Sequence, residues 1–443
     1  MTEVRGQHGC RTTGPGWCRG SLFCALSALT VWTVLLAGAP VRAAGVSFSA
    51  QQIISAVANG ANSVFVADVD GDTDLDVLSA SFWDSKIAWY ENVDGLGTFG
   101  PEQVITTMAS DARAVFAADL DGDNDVDVLS ASSLDNTIAW YENTDGLGLF
   151  GPRHTIENQA SEARAVIAAD LDGDSDMDVL SASLADDTIA WYENTDGAAS
   201  FGSPIVISTA ADGPIAIFAA DLDGDTDLDV LSASSNDNEI AWYENNGTGT
   251  FGPQQIIFAG ALGAWSVFAA DVDGDADVDV LSASLLDGTV AWYENLDGMG
   301  TFGPQLPIST MVQVAISVFA ADMDLDGDVD VISGSLGDQI FWHPNLDGTG
   351  RFGSPQLVSA AGDGLSSVFA ADLDGDGDLD IAAASNFDDE ISWYENLLGI
   401  SVPAVSTAGL VLLAALLSCA ALGILRNPAV GARSCADPPG SGG

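Results

Sequence analysis

The residues best suited to chemistry in this chain are five aspartates placed at the odd positions of a nine-residue loop, Asp-x-Asp-Gly-Asp-x-Asp-x-Asp. The loop first occurs as Asp68, Asp70, Asp72, Asp74 and Asp76, then as Asp119, Asp121, Asp123, Asp125 and Asp127. It recurs as Asp170, Asp172, Asp174, Asp176 and Asp178, and as Asp221, Asp223, Asp225, Asp227 and Asp229. The last three copies are Asp271, Asp273, Asp275, Asp277 and Asp279; Asp322, Asp324, Asp326, Asp328 and Asp330; and Asp372, Asp374, Asp376, Asp378 and Asp380. Together they hold 35 of the 65 acidic residues. Carboxylates this close repel one another unless a cation sits among them. The loops offer oxygen alone, with no His or Cys, which argues against zinc. A hard cation taking about six to eight oxygens fits, and calcium suits such a loop better than magnesium, which demands a tighter octahedron and keeps its waters. A merely solvated acidic turn has no reason to keep one spacing seven times. Position eight is always Val, Leu or Met and position ten Val or Ile. Both are expected to enter the core while the carboxylates face the ion.

The elements that must position these loops follow from their spacing. Successive loops start 51, 51, 51, 50, 51 and 50 residues apart, a period in the range of propeller blades. Each period holds four short segments rich in Val, Ile, Phe, Trp and Tyr. In the second repeat these are 114–118, 126–131, 138–142 and a last strand near 154–156, separated by turn residues. None has the 3.6-residue periodicity of a helical solenoid. The sequence therefore predicts an all-β chain, a seven-bladed β-propeller of four-stranded blades. The first loop is preceded by Phe48 to Ile54, which matches the fourth-strand segment Phe99 to Ile105, whereas the last repeat stops after 391–396. The N-terminal strand is thus expected to complete the last blade, closing the ring and removing two exposed sheet edges.

Charge and cysteine set the surroundings. The net charge is −54, with 11 Lys plus Arg. Between Ala44 and Ile400 the basic residues are Lys86, Arg113, Arg153, Arg164 and Arg351. Such a surface repels phosphate backbones, so nucleic acid is not an expected partner, and it repels anionic lipid head groups. The five cysteines, Cys10, Cys18, Cys24, Cys419 and Cys435, all lie outside the repeats, so no disulfide can brace the body. Residues 1–43 read as a secretory signal, with Arg5, Arg11 and Arg19, an apolar stretch from Leu22 to Ala39 and small residues before a cleavage site near Ala43. An uncleaved anchor is the alternative. After the body (44–397) come a linker (398–404), an uncharged stretch of 21 residues (405–425) long enough to cross a bilayer, and a tail (426–443) whose Arg426 and Arg433 place it on the cytoplasmic side.

The acidic loop resembles the Asp-x-Asp-x-Asp-Gly-x-x-Asp calcium loop of FG-GAP and VCBS repeats, found in integrin α-subunit propellers and in many bacterial secreted proteins. The resemblance covers about residues 47–397. It implies side-chain oxygens from positions one, three, five and nine and the backbone carbonyl of position seven. In the second repeat these are Asp119, Asp121, Asp123 and Asp127, with the carbonyl of Asp125, and the other repeats map alike. Only Gly327 and Gly377 stand at the family's glycine position, and the sixth repeat has Leu325 at position four and His343-Pro344-Asn345 in place of Tyr-Glu-Asn. The C-terminal segment is similar to the IPTL/PEP-type sorting tails of bacterial surface proteins, which leaves membrane anchor and sorting tag both open.

Of the other recurring residues, Trp89, Trp140, Trp191, Trp242, Trp292, Trp342 and Trp393 are expected between blades rather than as sugar platforms. The Asp-Gly pairs at Asp94, Asp145, Asp196, Asp297 and Asp347 are expected as hairpin turns. His154 and His343 lack catalytic partners and are expected to be structural. With repeat steps that vary by one residue, no blade has room for an active-site insertion, and no enzyme activity is expected. The expected role is a secreted or cell-surface adhesion module, monomeric, carrying up to seven calcium ions and contacting proteins or glycans. A multivalent lectin is the second reading, and a polysaccharide lyase or hydrolase the third.

Overall fold

A computed structural model describes residues 46–398. The expected signal segment, and the expected apolar segment and tail after residue 398, lie outside the described residues. Among the described residues no helix is long and apolar enough to cross a membrane.

The described chain forms seven sheets of four antiparallel strands each, a seven-bladed β-propeller. The first blade comprises β2 (Ala61–Ala67), β3 (Asp76–Ser81), β4 (Lys86–Tyr90) and β5 (Gln103–Thr106). The acidic loop joins β2 to β3. Strand character changes outward through the blade. The innermost strand alternates between buried and half-buried residues, the second (Asp-Val-Leu-Ser-Ala-Ser) is buried throughout, and the fourth is partly exposed. A strand covered on both faces needs side chains that fill without separating its neighbours, and Val, Leu, Ala and Ser do this.

The last blade closes as expected. Strand β1 (Gln52–Ser55) pairs antiparallel with β28 (Glu390–Tyr394), which follows β26 (Leu365–Ala371) and β27 (Asp380–Ser385) in the same sheet. The seam continues beyond the strands through the Phe48–Asn396 bridge and a bond of 2.7 Å from Leu397 N to Ser47 O.

Two apolar rings hold the blades together. The seven recurring tryptophans are 2–7% exposed, buried between blades rather than offered to solvent. Five of them, Trp89, Trp191, Trp242, Trp292 and Trp393, lie over a glycine in the hairpin turn of the next blade, whereas Trp140 meets Ala199 there. A methyl group on Gly148 would stand 2.2 Å from Trp89 Cζ2, and one on Gly97 would stand 2.3 Å from Trp393 Cζ2. Closer to the axis, Phe218, Phe268, Phe319, Phe369, Phe65 and Phe116 touch in succession, with centroids 4.5–5.1 Å apart. Ile167 occupies the same register in the third blade. This ring was not anticipated from the sequence, although its six phenylalanines all stand three residues before the aspartate that opens the loop.

Deleting residues 46–55 should leave the last blade with three strands and an open edge. The burial of Val46 and the cover over Trp342 and Trp393 would be lost, at a cost on the order of 3 kcal/mol or more. A lower melting temperature and new oligomers on size-exclusion chromatography are the expected readouts.

Candidate metal centre

Each acidic loop is built by its own carboxylates. In the first blade, Asp68 Oδ1 accepts from Gly71 N (2.8 Å) and Oδ2 from Thr73 N (3.0 Å), and Asp72 Oδ1 accepts from Asp74 N (2.9 Å). Two residues of the loop take left-handed backbone, Gly71 (φ 74°) and Thr73 (φ 81°). The second of these is the position where the family pattern prefers glycine, and Thr, Asn, Ser and Ala adopt the same conformation in five of the loops.

Position nine anchors the loop. Asp76 is 1% exposed. Its Oδ2 accepts from Val69 N (2.9 Å) and its Oδ1 from Asn92 N (2.8 Å), so one carboxylate ties both ends of the loop to the blade. The same pair of bonds recurs at Asp127, Asp178, Asp229, Asp279, Asp330 and Asp380. Burial pushes these carboxyls up to about 7, and Asp380 to about 8, against the pull of the backbone N–H groups.

The expected oxygens converge. Asp68, Asp70 and Asp76 bring one oxygen each to within 4.8 Å of one another, as do Asp170, Asp172 and Asp178, and Asp271, Asp273 and Asp279. In the second and fourth blades the corresponding groups are Asp119, Asp121 and Asp123, and Asp221, Asp223 and Asp225. Positions one and three thus meet position nine in three of these loops and position five in the other two, and such clusters could hold a cation. Position seven is used differently: a methyl group on Gly95 would stand 2.4 Å from Asp74 Oδ1, so that side chain lies under the Asp-Gly turn of its own blade. Asp70 Oδ1, Asp172 Oδ1 and Asp273 Oδ1 are buried and accept no hydrogen bond. Their lone pairs suit an oxygen-coordinated cation.

The sixth loop is laid differently. Leu325 holds φ 55° at position four, and Asp322 Oδ1 takes its bond from Asp326 N (3.1 Å) instead of from the residue before it. Burial and the Asp326 charge push Asp324 up to about 6.

Three other expectations bear on the loops. Position ten is fully buried, as at Val77 and Val128. Position eight is not: it reaches only the rim of the core, and Met177 is 39% exposed, because the residue lies outside the strand's buried alternation. The apolar anchor is instead position two, with Val69, Leu120 and Leu171 each 1% exposed. The Asp-Gly pairs do form turns, in which Asp94 Oδ1 accepts from Leu96 N (3.1 Å) and Thr98 N (3.3 Å). His343 is structural: its Nε2 lies 2.8 Å from Ser333 Oγ, where five other blades pair the corresponding serine with a tyrosine hydroxyl, and burial lowers it to about 4. His154 stacks on Trp140 at 4.8 Å.

Sequence reasoning missed the asparagine of Tyr-Glu-Asn. Asn143 is fully buried, and its Nδ2 donates to Val126 O of its own blade (3.3 Å) and to Val69 O in the preceding blade's acidic loop (2.8 Å). The bond crosses every interface, including the seam from Asn92 to Leu373 O (2.8 Å). Its signal was present, since an asparagine closes that motif in all seven repeats.

The description FG-GAP-like repeat matches residues 68–130, 119–181, 176–232, 221–282, 271–333 and 326–383. The chain belongs to the FG-GAP-like repeat family. No curated protein matches it. Among solved structures, this FG-GAP-like chain is similar to a lectin of Agrocybe aegerita described as specifically recognising non-reducing terminal N-acetylglucosamine. The identity there is 21%, the TM-score 0.51, and 67% of this chain and 80% of that one are covered. It is also similar to BBS1N, solved in complex with ARL6DN, at 11% identity and TM-score 0.55, covering 79% of this chain and 96% of that one. At these identities the likeness establishes the propeller fold.

Two expected outcomes follow from the FG-GAP-like loop geometry. Asn143→Ala leaves two buried carbonyls and the Gly148 N–H without their partner, and should cost roughly 2–4 kcal/mol in urea unfolding. In cation-depleted protein the position-nine carboxyls keep protons that the unfolded chain, with carboxyls at 3.8, has released. Their contribution to stability is full below that unfolded value and is lost as pH rises through about 7. Cation-depleted protein should therefore melt lower at about pH 8 than at about pH 5, and the gap to cation-loaded protein should widen across that interval.

Proposed function

We propose that the propeller is a calcium-braced interaction module of the cell surface or the secreted space. The observation that carries this reading is the buried, unpartnered Oδ1 of three position-three aspartates, Asp70, Asp172 and Asp273, set among carboxylates that burial already disfavours as anions. Asp68, Asp70, Asp72 and Asp76, and their counterparts in the other blades, are the side chains that would hold the ion. Bound calcium supplies the positive charge that offsets their repulsion. Because Asn143 and its counterparts bond to a carbonyl inside the preceding blade's loop, a braced loop also fixes the neighbouring blade. The body has no cysteine, which leaves the ions a structural role. With seven near-equivalent blades and no insertion, the module contacts a ligand and does not transform it.

A glycan-binding reading is second, favoured by the fold shared with a lectin. A glycan array probed with calcium and then with EDTA separates it from a protein-binding role.

Elemental analysis of the dialysed protein is expected to count up to seven calcium ions per chain. Each site should contribute roughly 2.7 kcal/mol at a hundredfold excess of ion over Kd, so EDTA should lower the melting temperature sharply. The double substitution Asp121→Asn and Asp123→Asn should remove one ion from the count. No bound calcium together with an unchanged melt in EDTA would sink this reading.

A further inference from the structure

Two of the five basic side chains between Ala44 and Ile400 line the same cavity of about 380 Å³ at the centre of the ring. All seven blades contribute to this mouth, which opens where the innermost strands begin. The acidic loops follow the other ends of those strands, so the mouth and the loops lie on opposite faces.

The residues that enter the mouth are placed by a repeated backbone irregularity. Each innermost strand is bulged at its second residue. In the first blade Ala61 pairs with Ser81 and Ser63 with Ala80, leaving Asn62 without a partner. A bulge re-aims one side chain away from the ladder. Here it aims Arg113 and Arg164 from the second and third blades, and Trp265 from the fifth, into the cavity. In a chain that repeats its structural residues blade after blade, this position does not repeat. It holds Asn, Arg, Arg, Ile, Trp, Ile and Ser in turn. Packing between blades does not demand such variety, and a ligand without sevenfold symmetry would.

The two guanidiniums keep donor capacity beyond their own ion pairs. Arg113 Nη2 lies 2.8 Å from Asp111 Oδ1, and Arg164 Nη2 lies 3.6 Å from Glu162 Oε2. Asp111 (φ 59°) and Glu162 (φ 53°) take a left-handed backbone that is glycine in four other blades, so the acid is present where the arginine is, at a cost in strain. Phe82 supports Arg113 from below, with its ring centroid 4.7 Å from Cζ. Both Nε–H groups remain buried and unpartnered. Burial and the neighbouring Arg113 charge lower Arg164's hold on its proton, so an anion between the two would relieve their repulsion.

We propose that the central mouth binds one acidic sugar residue of the uronic-acid type, its carboxylate against Arg113 and Arg164 and its ring against Trp265. Trp265 is half-buried, which leaves a face for stacking. Ser266 and Ser317 line the cavity while their Oγ atoms accept the N–H of Val318 (3.3 Å) and Val368 (3.2 Å), so their own protons are available to sugar oxygens. Asp111 and Glu162 can accept from sugar hydroxyls. A single negative charge suits two arginines already facing two acids, and a phosphate dianion does not. The volume lies in the range of small-ligand clefts.

The proposal does not rest on calcium. Calorimetric titration of the full cation-loaded protein with D-glucuronate is expected to show saturable binding. D-glucose should bind at least about tenfold more weakly. The double substitution Arg113→Gln and Arg164→Gln, and Trp265→Leu separately, should each weaken glucuronate by about tenfold or more with an unchanged calcium count. Should the double variant fail to fold, Trp265→Leu on the half-buried rim still decides the question. Absence of glucuronate binding, equal binding of glucose, an undiminished affinity in Trp265→Leu, or binding of an oligoglutamate peptide in place of glucuronate would each overturn the assignment. Glucuronate binding by a protein that carries no calcium and melts unchanged in EDTA would uphold this assignment while the calcium reading fails.

Discussion

A buried carboxylate at the end of each acidic loop is the constraint on which the rest of the propeller depends. Asp76 and its six counterparts are taken out of water, which raises the cost of their charge, and each is allowed to remain because two backbone N–H groups point at it. One of those groups belongs to the asparagine whose side chain reaches into the preceding blade. Loop, blade and interface are therefore one hydrogen-bonded circuit.

The two apolar rings and the circuit divide the work by radius. Near the axis, the phenylalanines touch across blades. Farther out, five of the tryptophans settle on glycines whose turns leave no room for a side chain. The polar circuit lies at the loop face between them. Because each device uses the same residue in nearly every blade, the variation the chain does carry is confined to places that the interfaces leave free, and the central mouth is the clearest of these.

Much of this was legible in the sequence where a residue repeats and its chemistry has one reading. Seven loop starts gave seven blades, the displaced segment Phe48 to Ile54 gave the closing strand, and the tryptophans were read as interface residues, as they are. The family resemblance implied ligands at positions one, three, five and nine, and the structure brings positions one and three together with position nine or with position five. What escaped was set by the third dimension. Asn143 looked like the end of a strand motif because its partner, Val69 O, lies 74 residues away. Position eight was read as core by extending strand alternation one residue too far into the loop, which left Met177 at the surface and concealed the anchoring role of position two. The bulge at Arg113 and Arg164 cannot be seen in a pattern of residue types, since it is a mismatch of pairing between two strands.

The closing strand has a mechanical side. Ser47 bonds to Leu397 at the outer end of the seam, while Ser55 lies against Ile391 at the other end, so both ends of the described chain leave the ring at one point. Tension between Val46 and Leu398 would fall on the Ser47–Leu397 bond first and then on the next, one pair at a time. Antiparallel strands pulled from the same end peel instead of shearing. The ring, closed through seven shared interfaces, would thus open under force like a zip, from a single place, with the other six blades still folded.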